Sequence, residues 1–566
     1  MQKKVVLFPR IVFLFISILF FSSITPALEF NKKWEAGIGG SGLLSYGDVN
    51  DDGKDEIVFN SGSFIRVISS DGAILKSLSL QYPGNQFAPI GLANLDKSDK
   101  ELELIRVADI EGVSRLEVYK LDGRLLWKTG KTDIRCRAAP SIDDVDLDGL
   151  YEIIFPCGRL VYGFNHDGST LEGWPVDLFE ILKVQRSVEL EHYGIEEFIK
   201  NYEITNIAIS PAIGELDLAD DNSEIVIAAS QFVFTLHHDG KLYWIGWYTA
   251  DNFGLGLGDI NGDTILEVVV TTLMDGGVDL RENIELVPEK LNPIAYSHDG
   301  IFLWGDEPKI VTEGVSLGQF DLTPAIDGTT PTLEILVENF DFGGNNKIFI
   351  FDGYGSRLKE GKLNRPISLY TPLIADFDGD GIDEIVINGK LGGSSFSIFN
   401  NDFVEIATFG EGRASIPPVL GDIDKNNKLE VIFVSGSKLF AYESDQEMPA
   451  GKISWPMYWH DARHTANYET PQEDKLRDKF IRGDVDGNGI IDINDPVAIL
   501  NFMFQSGKMS CLSSADTDDS GTIDINDVTY LLNWMFLSGS AIPQPGTLGN
   551  DLTPDKLNCV CYGAQC

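Results

Sequence analysis

The chain has 566 residues, of which 43% are hydrophobic and 10% aromatic. This length exceeds one compact core, so more than one domain is predicted, and the apolar content excludes wholesale disorder. Asp and Glu number 87 against 44 Lys and Arg, and the formal net charge of −43 argues against nucleic acid or an anionic membrane as a partner. The acidic residues are concentrated in short loops of fixed spacing, which indicates cation binding.

The N-terminus is typical of an export signal. Lys3, Lys4 and Arg10 precede an apolar run at 11–21 and the small-residue stretch SSITPA. The run is short for a membrane span, which needs about twenty residues. We therefore predict a signal peptide over residues 1–27, cleaved near Ala27, and a secreted or cell-surface protein without membrane contact after cleavage; an uncleaved anchor is the alternative.

Export makes the six cysteines candidates for disulfides. Cys136 and Cys157 bracket one acidic loop and are predicted to staple the hairpin that carries it. The other four cysteines are Cys511, Cys559, Cys561 and Cys566, which could form disulfides in three different pairings. A zinc site formed by these four is disfavoured because Cys-x-Cys lacks the usual two-residue spacer.

An acidic repeat fills residues 30–467. Well-formed loops occur as DVNDDGKDE at 48, DVDLDGLYE at 144, DINGDTILE at 259, DFDGDGIDE at 376 and DIDKNNKLE at 422, and weaker copies occur at 94, 215 and 319. The best copies run into an apolar strand, and further along each unit comes a turn marker, usually Asp-Gly between apolar stretches, which is a hairpin signal. Each unit is thus strand, acidic loop, strand, strand, turn, strand. This period of about 43–72 residues favours a four-stranded propeller blade over a solenoid repeat.

The predicted fold is mostly β: a seven- or eight-bladed β-propeller over residues 28–468, with a small C-terminal α-helical domain. A long connection at 176–204, which contains LEHYGIEEFIKNY, is predicted to be partly helical. The segments FNKKW and ISWPMYW are predicted to be outer strands that close the ring from the two ends of the repeat region.

We number the nine places of each well-formed loop from its first aspartate. Side chains at places 1, 3, 5 and 9 carry oxygen, and the backbone carbonyl at place 7 can supply another ligand. A glycine at place 6 allows a sharp bend, although Thr264 and Asn427 replace it in two loops. Hard oxygen donors in this number suit calcium, and the flexible geometry makes magnesium less favoured. The alternative is an acidic turn whose side chains satisfy the backbone. The predicted ligands are Asp48, Asn50, Asp52, Lys54, Glu56, Asp144, Asp146, Asp148, Leu150, Glu152, Asp259, Asn261, Asp263, Ile265, Glu267, Asp376, Asp378, Asp380, Ile382, Glu384, Asp422, Asp424, Asn426, Lys428 and Glu430. No metal is predicted at the three weaker copies.

These loops and their spacing resemble the FG-GAP, or integrin-alpha-like, propeller repeat over roughly 430 residues. The resemblance implies calcium in the loop between the first two strands of a blade. It implies no single activity, since related propellers serve in adhesion, in sensing and in polysaccharide lyases.

Beyond a polar linker at 469–480, residues 481–566 contain a duplicated loop and apolar helix, DVDGNGIIDIND and, 32 residues later, DTDDSGTIDIND. Oxygen stands at places 1, 3, 5, 9 and 12, with a carbonyl at place 7 and glycine at the bend. The predicted calcium ligands are Asp484, Asp486, Asn488, Ile490, Asp492, Asp495, Asp516, Asp518, Ser520, Thr522, Asp524 and Asp527.

This unit resembles a dockerin domain rather than an EF-hand pair, which has a helix before each loop and usually Glu at place 12. The resemblance implies a cohesin-type partner that contacts places 10 and 11, here Ile493, Asn494, Ile525 and Asn526. Their repetition is compatible with binding in two orientations. The alternative is that these residues only pack and solvate the loop.

Two classes of function remain. The favoured one is an exported calcium-binding propeller that binds a polysaccharide or a surface protein and docks onto a cohesin-bearing scaffold. The other is a tethered polysaccharide-degrading enzyme, either a propeller-type lyase or a glycoside hydrolase, for which no catalytic residue is assigned. His166, His238 and His298 precede turn markers, and HDARH at 460–464 lacks the glutamate of HExxH, so metal hydrolysis is disfavoured. A third possibility is adhesion, with the C-terminal loops acting only as a folding cap.

Overall fold

The computed structural model describes residues 28–40, 42–95, 100–193, 207, 209–219, 222–230, 232–247, 251–263, 265–273, 293–305, 315–320, 332–339, 346–363, 372–388, 395–412, 414, 416–447, 453–468, 480–485, 487, 489–505, 511–537 and 539–543. The predicted signal peptide lies outside these residues, as do most of the linker, Thr264, Asp486, Asn488 and the last three cysteines. None of the helices in the described ranges is both long and apolar enough to cross a membrane.

The described residues are mostly strands. The strands are β1 Phe30–Gly37, β2 Leu44–Gly47, β3 Glu56–Ser61, β4 Phe64–Ile68, β5 Ile74–Ser79, β6 Gly91–Ala93, β7 Glu103–Ile110, β8 Val113–Tyr119, β9 Leu125–Lys128, β10 Ser141–Asp143, β11 Glu152–Cys157, β12 Leu160–Phe164, β13 Val176–Asp177, β14 Ala212–Gly214, β15 Glu224–Ala229, β16 Phe232–Leu236, β17 Leu242–Trp247, β18 Asp251–Gly258, β19 Glu267–Leu273, β20 Ile294–Tyr296, β21 Phe302–Gly305, β22 Val315–Gly318, β23 Glu334–Asn339, β24 Asn346–Phe351, β25 Arg357–Leu363, β26 Leu373–Ala375, β27 Glu384–Asn388, β28 Phe396–Phe399, β29 Glu405–Phe409, β30 Val419–Gly421, β31 Lys428–Ser435 and β32 Lys438–Glu447. The helices are α1 Leu178–Tyr193, α2 Asn494–Gln505, α3 Leu512–Ala515 and α4 Ile525–Leu537.

The strands form eight four-stranded antiparallel sheets within the described ranges. Seven sheets use four consecutive strands, from β2–β5 (blade 1) to β26–β29 (blade 7). Blade 8 has the order β1-β32-β31-β30, so the N-terminal strand is its outer strand. First strands of blades 1 to 7 contact one another in order, β30 of blade 8 contacts β2, and β1 of blade 8 contacts β29 of blade 7. The fold is therefore an eight-bladed propeller, and the predicted closure by FNKKW is confirmed.

The second strand of each blade is built for burial on both faces. In β3, β11 and β15 all six residues are buried, because apolar β-branched and aromatic side chains pack against both neighbouring blades. Each of these strands begins with the glutamate at place 9 of its acidic loop or weaker copy. The glutamate is therefore buried together with the rest of the strand.

The predicted outer strand ISWPMYW is wrong, because the segment 453–468 lies inside the ring. Its backbone carbonyls accept hydrogen bonds from the first strands of six blades, among them Leu92 N to Ala462 O at 2.9 Å and Leu420 N to Pro456 O at 2.8 Å. Asp461 and His464 are buried there, and Asp461 accepts hydrogen bonds from Arg463 N and from Thr465. The carbonyls of this segment and the N–H groups at the inner edges of the first strands hydrogen-bond to each other. Both sets of buried backbone groups are thereby paired, which explains why the segment lies at the centre of the ring.

Adjacent blades are joined by tryptophans that bond to the predicted hairpin turns. Trp127 Nε1 of blade 2 donates to His166 O of blade 3 at 2.9 Å, and Trp244 Nε1 of blade 4 donates to His298 O of blade 5 at 2.8 Å. A Cβ at Gly168 would come within 2.6 Å of the Trp127 ring, so the turn glycine is required by close approach as well as by its φ of 84°. These histidines lie at hairpin turns, as predicted; their backbone carbonyls accept the tryptophan bonds, and His298 Nδ1 also lies 3.0 Å from Leu216 O.

Two further elements bear on the site. Cys136 and Cys157 form the predicted disulfide, at the end of β11 remote from the acidic loop, and Cys511 is also disulfide-bonded. Helix α1 lies in the predicted insertion after blade 3, but it begins at Leu178, ahead of the segment from which a helix was predicted.

Candidate metal centres

The acidic loops share one arrangement of backbone and side chains. The buried glutamate at place 9 accepts a hydrogen bond from the backbone N–H at place 2, for example Val145 N to Glu152 Oε2 at 3.0 Å and Phe377 N to Glu384 Oε2 at 2.9 Å. The aspartate at place 1 accepts one from place 6, as in Gly149 N to Asp144 Oδ2 at 3.0 Å. These bonds fold the loop around a point between the two carboxylates, and in the loops at 48, 376 and 422 the second oxygen of the place-1 aspartate also accepts a backbone N–H.

The bend requires left-handed backbone at place 6. Gly53 and Gly149 have φ of 83°, and Gly381 has φ of 89°. Asn427 adopts φ of 67° at the same place, and its N–H donates to Asp422 Oδ2 at 2.8 Å like that of the glycines. Asparagine tolerates this region better than most residues, so its substitution for glycine leaves the loop geometry unchanged.

Carboxylates at places 1, 3 and 9 converge in three of the five predicted propeller loops. In each of these loops one oxygen from every member lies within 4.8 Å of the others. The three groups are Asp144, Asp146 and Glu152; Asp376, Asp378 and Glu384; and Asp422, Asp424 and Glu430. Place 5 behaves differently: its side chain is exposed and accepts the N–H of place 7, as Asp148 does from Leu150 at 2.8 Å.

The loops in blades 1 and 5 follow the same hydrogen-bond plan. Asp48 Oδ2 accepts from Gly53 N at 2.8 Å, and Glu56 Oε2 accepts from Val49 N at 3.2 Å. In blade 5, Glu267 Oε2 accepts from Ile260 N at 3.1 Å. The weaker copies also bury a glutamate at the start of the second strand, although parts of those loops lie outside the described residues.

The electrostatics of the loops favour a bound cation. Burial, followed by the charges of the neighbouring aspartates, raises the pKa of Glu152 to about 9 and that of Glu56 to about 8. Burial likewise raises the pKa of Glu384 to about 9 and that of Glu267 to about 8. A carboxyl held this way keeps its proton at neutral pH unless a positive charge stabilises the carboxylate. Since every donor is oxygen, a hard cation fits the arrangement, and these residues can bind a metal ion.

The C-terminal loops place their aspartates in a similar way. Asp516, Asp518 and Asp527 form a fourth group whose oxygens lie within 4.8 Å of one another. The buried Asp527, at place 12, accepts from Asp524 N at 2.8 Å, and the buried Asp495 of the first loop accepts from Asp492 N at 2.7 Å. Asp495 also accepts a hydrogen bond from Val485 N and Asp527 from Asp518 N, so place 12 joins the start and the end of each loop.

Helices α2 and α4 follow these loops and pack together around Ile499, Val528 and Leu531. The predicted partner-binding residues stand at the loop–helix junctions, where Ile493 is 51% and Ile525 is 47% exposed. Asn494 and Asn526 are also exposed. Two apolar side chains at equivalent, accessible positions are compatible with a contact surface.

A groove opens on the opposite face of the propeller from the acidic loops. It has a volume of ≈ 500 Å³ and lies between the connections of blades 1 and 2. Its lining includes Asn60, Tyr82, Gln86, Asp109, Glu111 and Arg135. Sequence reasoning missed this groove because its residues come from four separate segments, two hairpin turns and two connections between blades, with no shared motif.

Sequence reasoning also missed three basic side chains that face glutamates at place 9. Lys120 Nζ lies 2.7 Å from Glu103 Oε1, and His237 Nδ1 lies 3.1 Å from Glu224 Oε1. Lys33 Nζ lies 2.6 Å from Glu430 Oε1. The first two could have been found from the repeat, since each follows the third strand of its blade.

No protein-family model and no curated protein matches the chain. Among solved structures, the exotype rhamnogalacturonan lyase YesX is similar at 14% identity and a TM-score of 0.50, over 74% of this chain and 76% of that one. The Vibrio cholerae biofilm matrix protein Bap1 is similar at 13% identity and 0.48, over 79% and 98%. A Bacillus licheniformis rhamnogalacturonan lyase is similar at 16% identity and 0.47, over 74% and 75%. The YesX likeness supports the propeller fold.

Proposed function

We propose that this protein is an exported, calcium-binding propeller of the FG-GAP type that binds an extracellular polysaccharide or surface protein and docks through a C-terminal dockerin onto a cohesin-type domain. The observation that carries the proposal is the convergence of carboxylates in the acidic loops of two separate modules. Export rests on the N-terminal pattern of residues 1–27.

Calcium is the ion that the donor set favours. The convergent groups offer carboxylate oxygens, and the carbonyls at place 7 can complete a coordination of six or more. Magnesium demands a stricter octahedron of ligands and is less favoured by this loop geometry. In the propeller the ion would hold the first two strands of a blade together at the loop.

The docking surface is proposed at the loop–helix junctions of the C-terminal module. Ile493 and Ile525 are exposed apolar residues that the folding of their own module does not explain. The test is capture of the full chain on immobilised cohesin domains in the presence of calcium. Ile493→Asp together with Ile525→Asp should abolish capture, whereas Ile301→Asp, at a 61% exposed position of the propeller, should leave it unchanged. Equal capture of both variants would refute the docking surface.

The groove is the proposed ligand site. Amide, carboxylate and guanidinium groups line it beside the ring of Tyr82, and sugars are bound by such hydrogen-bonding groups together with an aromatic face. A second candidate function, polysaccharide cleavage, is favoured by the same lining, because Arg135, Tyr82 and Glu111 offer a cation, a phenol and a carboxylate at one place. The similarity of the fold to the lyase YesX makes a lyase the enzyme class to test first.

One experiment separates the two functions. The full chain is applied to a polysaccharide array that scores both retention and release of unsaturated products. Retention without products supports the binding function, and products support the lyase. Arg135→Ala should abolish either signal, while Arg124→Ala, on a turn of the opposite face, should not. Retention unaffected by Arg135→Ala would place the ligand elsewhere.

A further inference from the structure

The residue opposite each place-9 glutamate is neutral in four blades, basic in two, and acidic in blades 6 and 8, where it is Asp352 and Glu443. Continuing the register of the second and third strands by one pair, from contacts such as Ile57 with Ile68 and Leu104 with Tyr119, identifies that residue in each blade. It is a small neutral polar residue in blades 1, 3, 5 and 7, namely Ser69, Asn165, Ser297 and Asn400. These are blades with well-formed acidic loops.

In blades 2 and 4 the same position holds a basic side chain. Lys120 bonds to Glu103 at 2.7 Å, with both side chains buried, and His237 Nδ1 lies 3.1 Å from Glu224. Their loops are the weaker copies at 94 and 215, for which no metal is predicted. In two of the three blades with a weaker acidic loop, a basic side chain of the blade itself thus lies beside the buried glutamate.

Blade 8 combines a well-formed loop with a basic side chain. The register places Glu443 opposite Glu430, so the third strand adds a carboxylate rather than a base. Lys33, from the closing strand β1, supplies the ammonium: its Nζ lies 2.7 Å from Asp424, 2.6 Å from Glu430 and 2.5 Å from Glu443. Asp424 and Glu430 are two of the three convergent carboxylates of this loop.

The ammonium and a metal ion compete for the same carboxylates. A calcium ion needs oxygens at about 2.3–2.6 Å. An ion at that distance from Asp424 and Glu430 would lie against the Lys33 ammonium, which already donates to both, and like charges this close repel strongly. The tethered ammonium reaches the site on folding, whereas a free ion is recruited from solution.

We propose that Lys33 takes the place of the metal ion in blade 8, so that the loop at 422–430 does not bind calcium although its sequence is well formed. The proposal rests on calcium binding by the loops of blades 1, 3, 5 and 7. In this proposal, strand β1 both completes blade 8 and supplies the positive charge that neutralises its acidic loop. Closure of the ring therefore does not require a metal ion in this blade.

The test counts calcium bound per full-length chain by equilibrium dialysis of metal-stripped protein. Lys33→Met should raise the count by one, because it leaves Asp422, Asp424 and Glu430 without their cation. Lys438→Met is the matched control: this lysine is 52% exposed and pairs with Glu35 of the same closing strand, and its loss should leave the count unchanged.

A second pair of variants keeps the test independent of the folding of Lys33→Met. Replacing Asp422 and Asp424 by Asn should leave the wild-type count unchanged, whereas replacing Asp144 and Asp146 by Asn should lower it by one. The proposal is overturned if Lys33→Met binds as many ions as wild type, or if the first pair lowers the count. A wild-type chain that binds no calcium would instead refute the proposed calcium-binding function on which the inference rests.

Discussion

Glu152→Gln is expected to change stability in opposite directions with and without calcium. In the metal-free protein, burial first and then Asp146 and Asp144 raise the pKa of Glu152 to about 9. An unfolded glutamate titrates at about 4.3, so at pH 8 the folded state keeps a proton that the unfolded state has released. The difference, nearly four pH units at 1.36 kcal/mol each, corresponds to at most about 5 kcal/mol that favours unfolding.

Glutamine removes this cost because it does not ionise, and its carbonyl oxygen can still accept the hydrogen bond from Val145 N. The variant should therefore melt at a higher temperature than wild type in EDTA at pH 8. In millimolar calcium it should melt lower, because a neutral amide is a poorer ligand than a carboxylate.

Thermal melts in both buffers, followed by circular dichroism, measure the two shifts. The matched control is Glu103→Gln, which breaks the buried pair with Lys120 and should lower the melting temperature by a similar amount in both buffers. The reasoning is refuted if Glu152→Gln destabilises the protein equally with and without calcium.

Three further results are expected. Burial raises the pKa of place-9 glutamates such as Glu384 to about 9 in the metal-free protein. The stability that their protonated form contributes is fully present below about pH 4.5 and is lost as pH rises through 9. The melting temperature in EDTA should therefore fall from pH 5 to 9, and calcium should flatten that slope. A flat profile in EDTA would contradict it. Cys136→Ser should lower the free energy of unfolding by about 3 kcal/mol, because the disulfide to Cys157 closes a loop with a sequence separation of 21; identical melts of wild type and variant would count against this. Asp461→Ala should destabilise the ring by about 3 kcal/mol, because it removes the acceptor of buried hydrogen bonds within the central segment, and a melt like that of wild type would show that the segment does not hold the blades.

The blades were predictable because the sequence signals for each blade lie within a single repeat. Buried apolar strands after an acidic loop, and Asp-Gly before the last strand, define a four-stranded unit without reference to distant residues. The eight-fold count followed once β1 paired with β32, a contact that FNKKW had indicated. The loop geometry at places 1 and 9 was also local, since nine consecutive residues contain it.

What the sequence did not reveal depends on closure of the ring. The segment ISWPMYW has the composition of a strand, yet its partners are the amide edges of first strands from most of the ring, which meet only when the propeller is complete. Lys33 is 391 residues from Asp424 in the chain, and no periodic signal connects them. The groove is likewise assembled from connections of two blades.

The most direct measurement is a crystal structure of the full chain grown with calcium, with anomalous differences recorded at a long wavelength. Peaks are expected in the acidic loops of blades 1, 3, 5 and 7, each within about 2.3–2.6 Å of carboxylate oxygens such as those of Asp144, Asp146 and Glu152. Loops that keep their hydrogen bonds and show no anomalous peak would contradict this expectation.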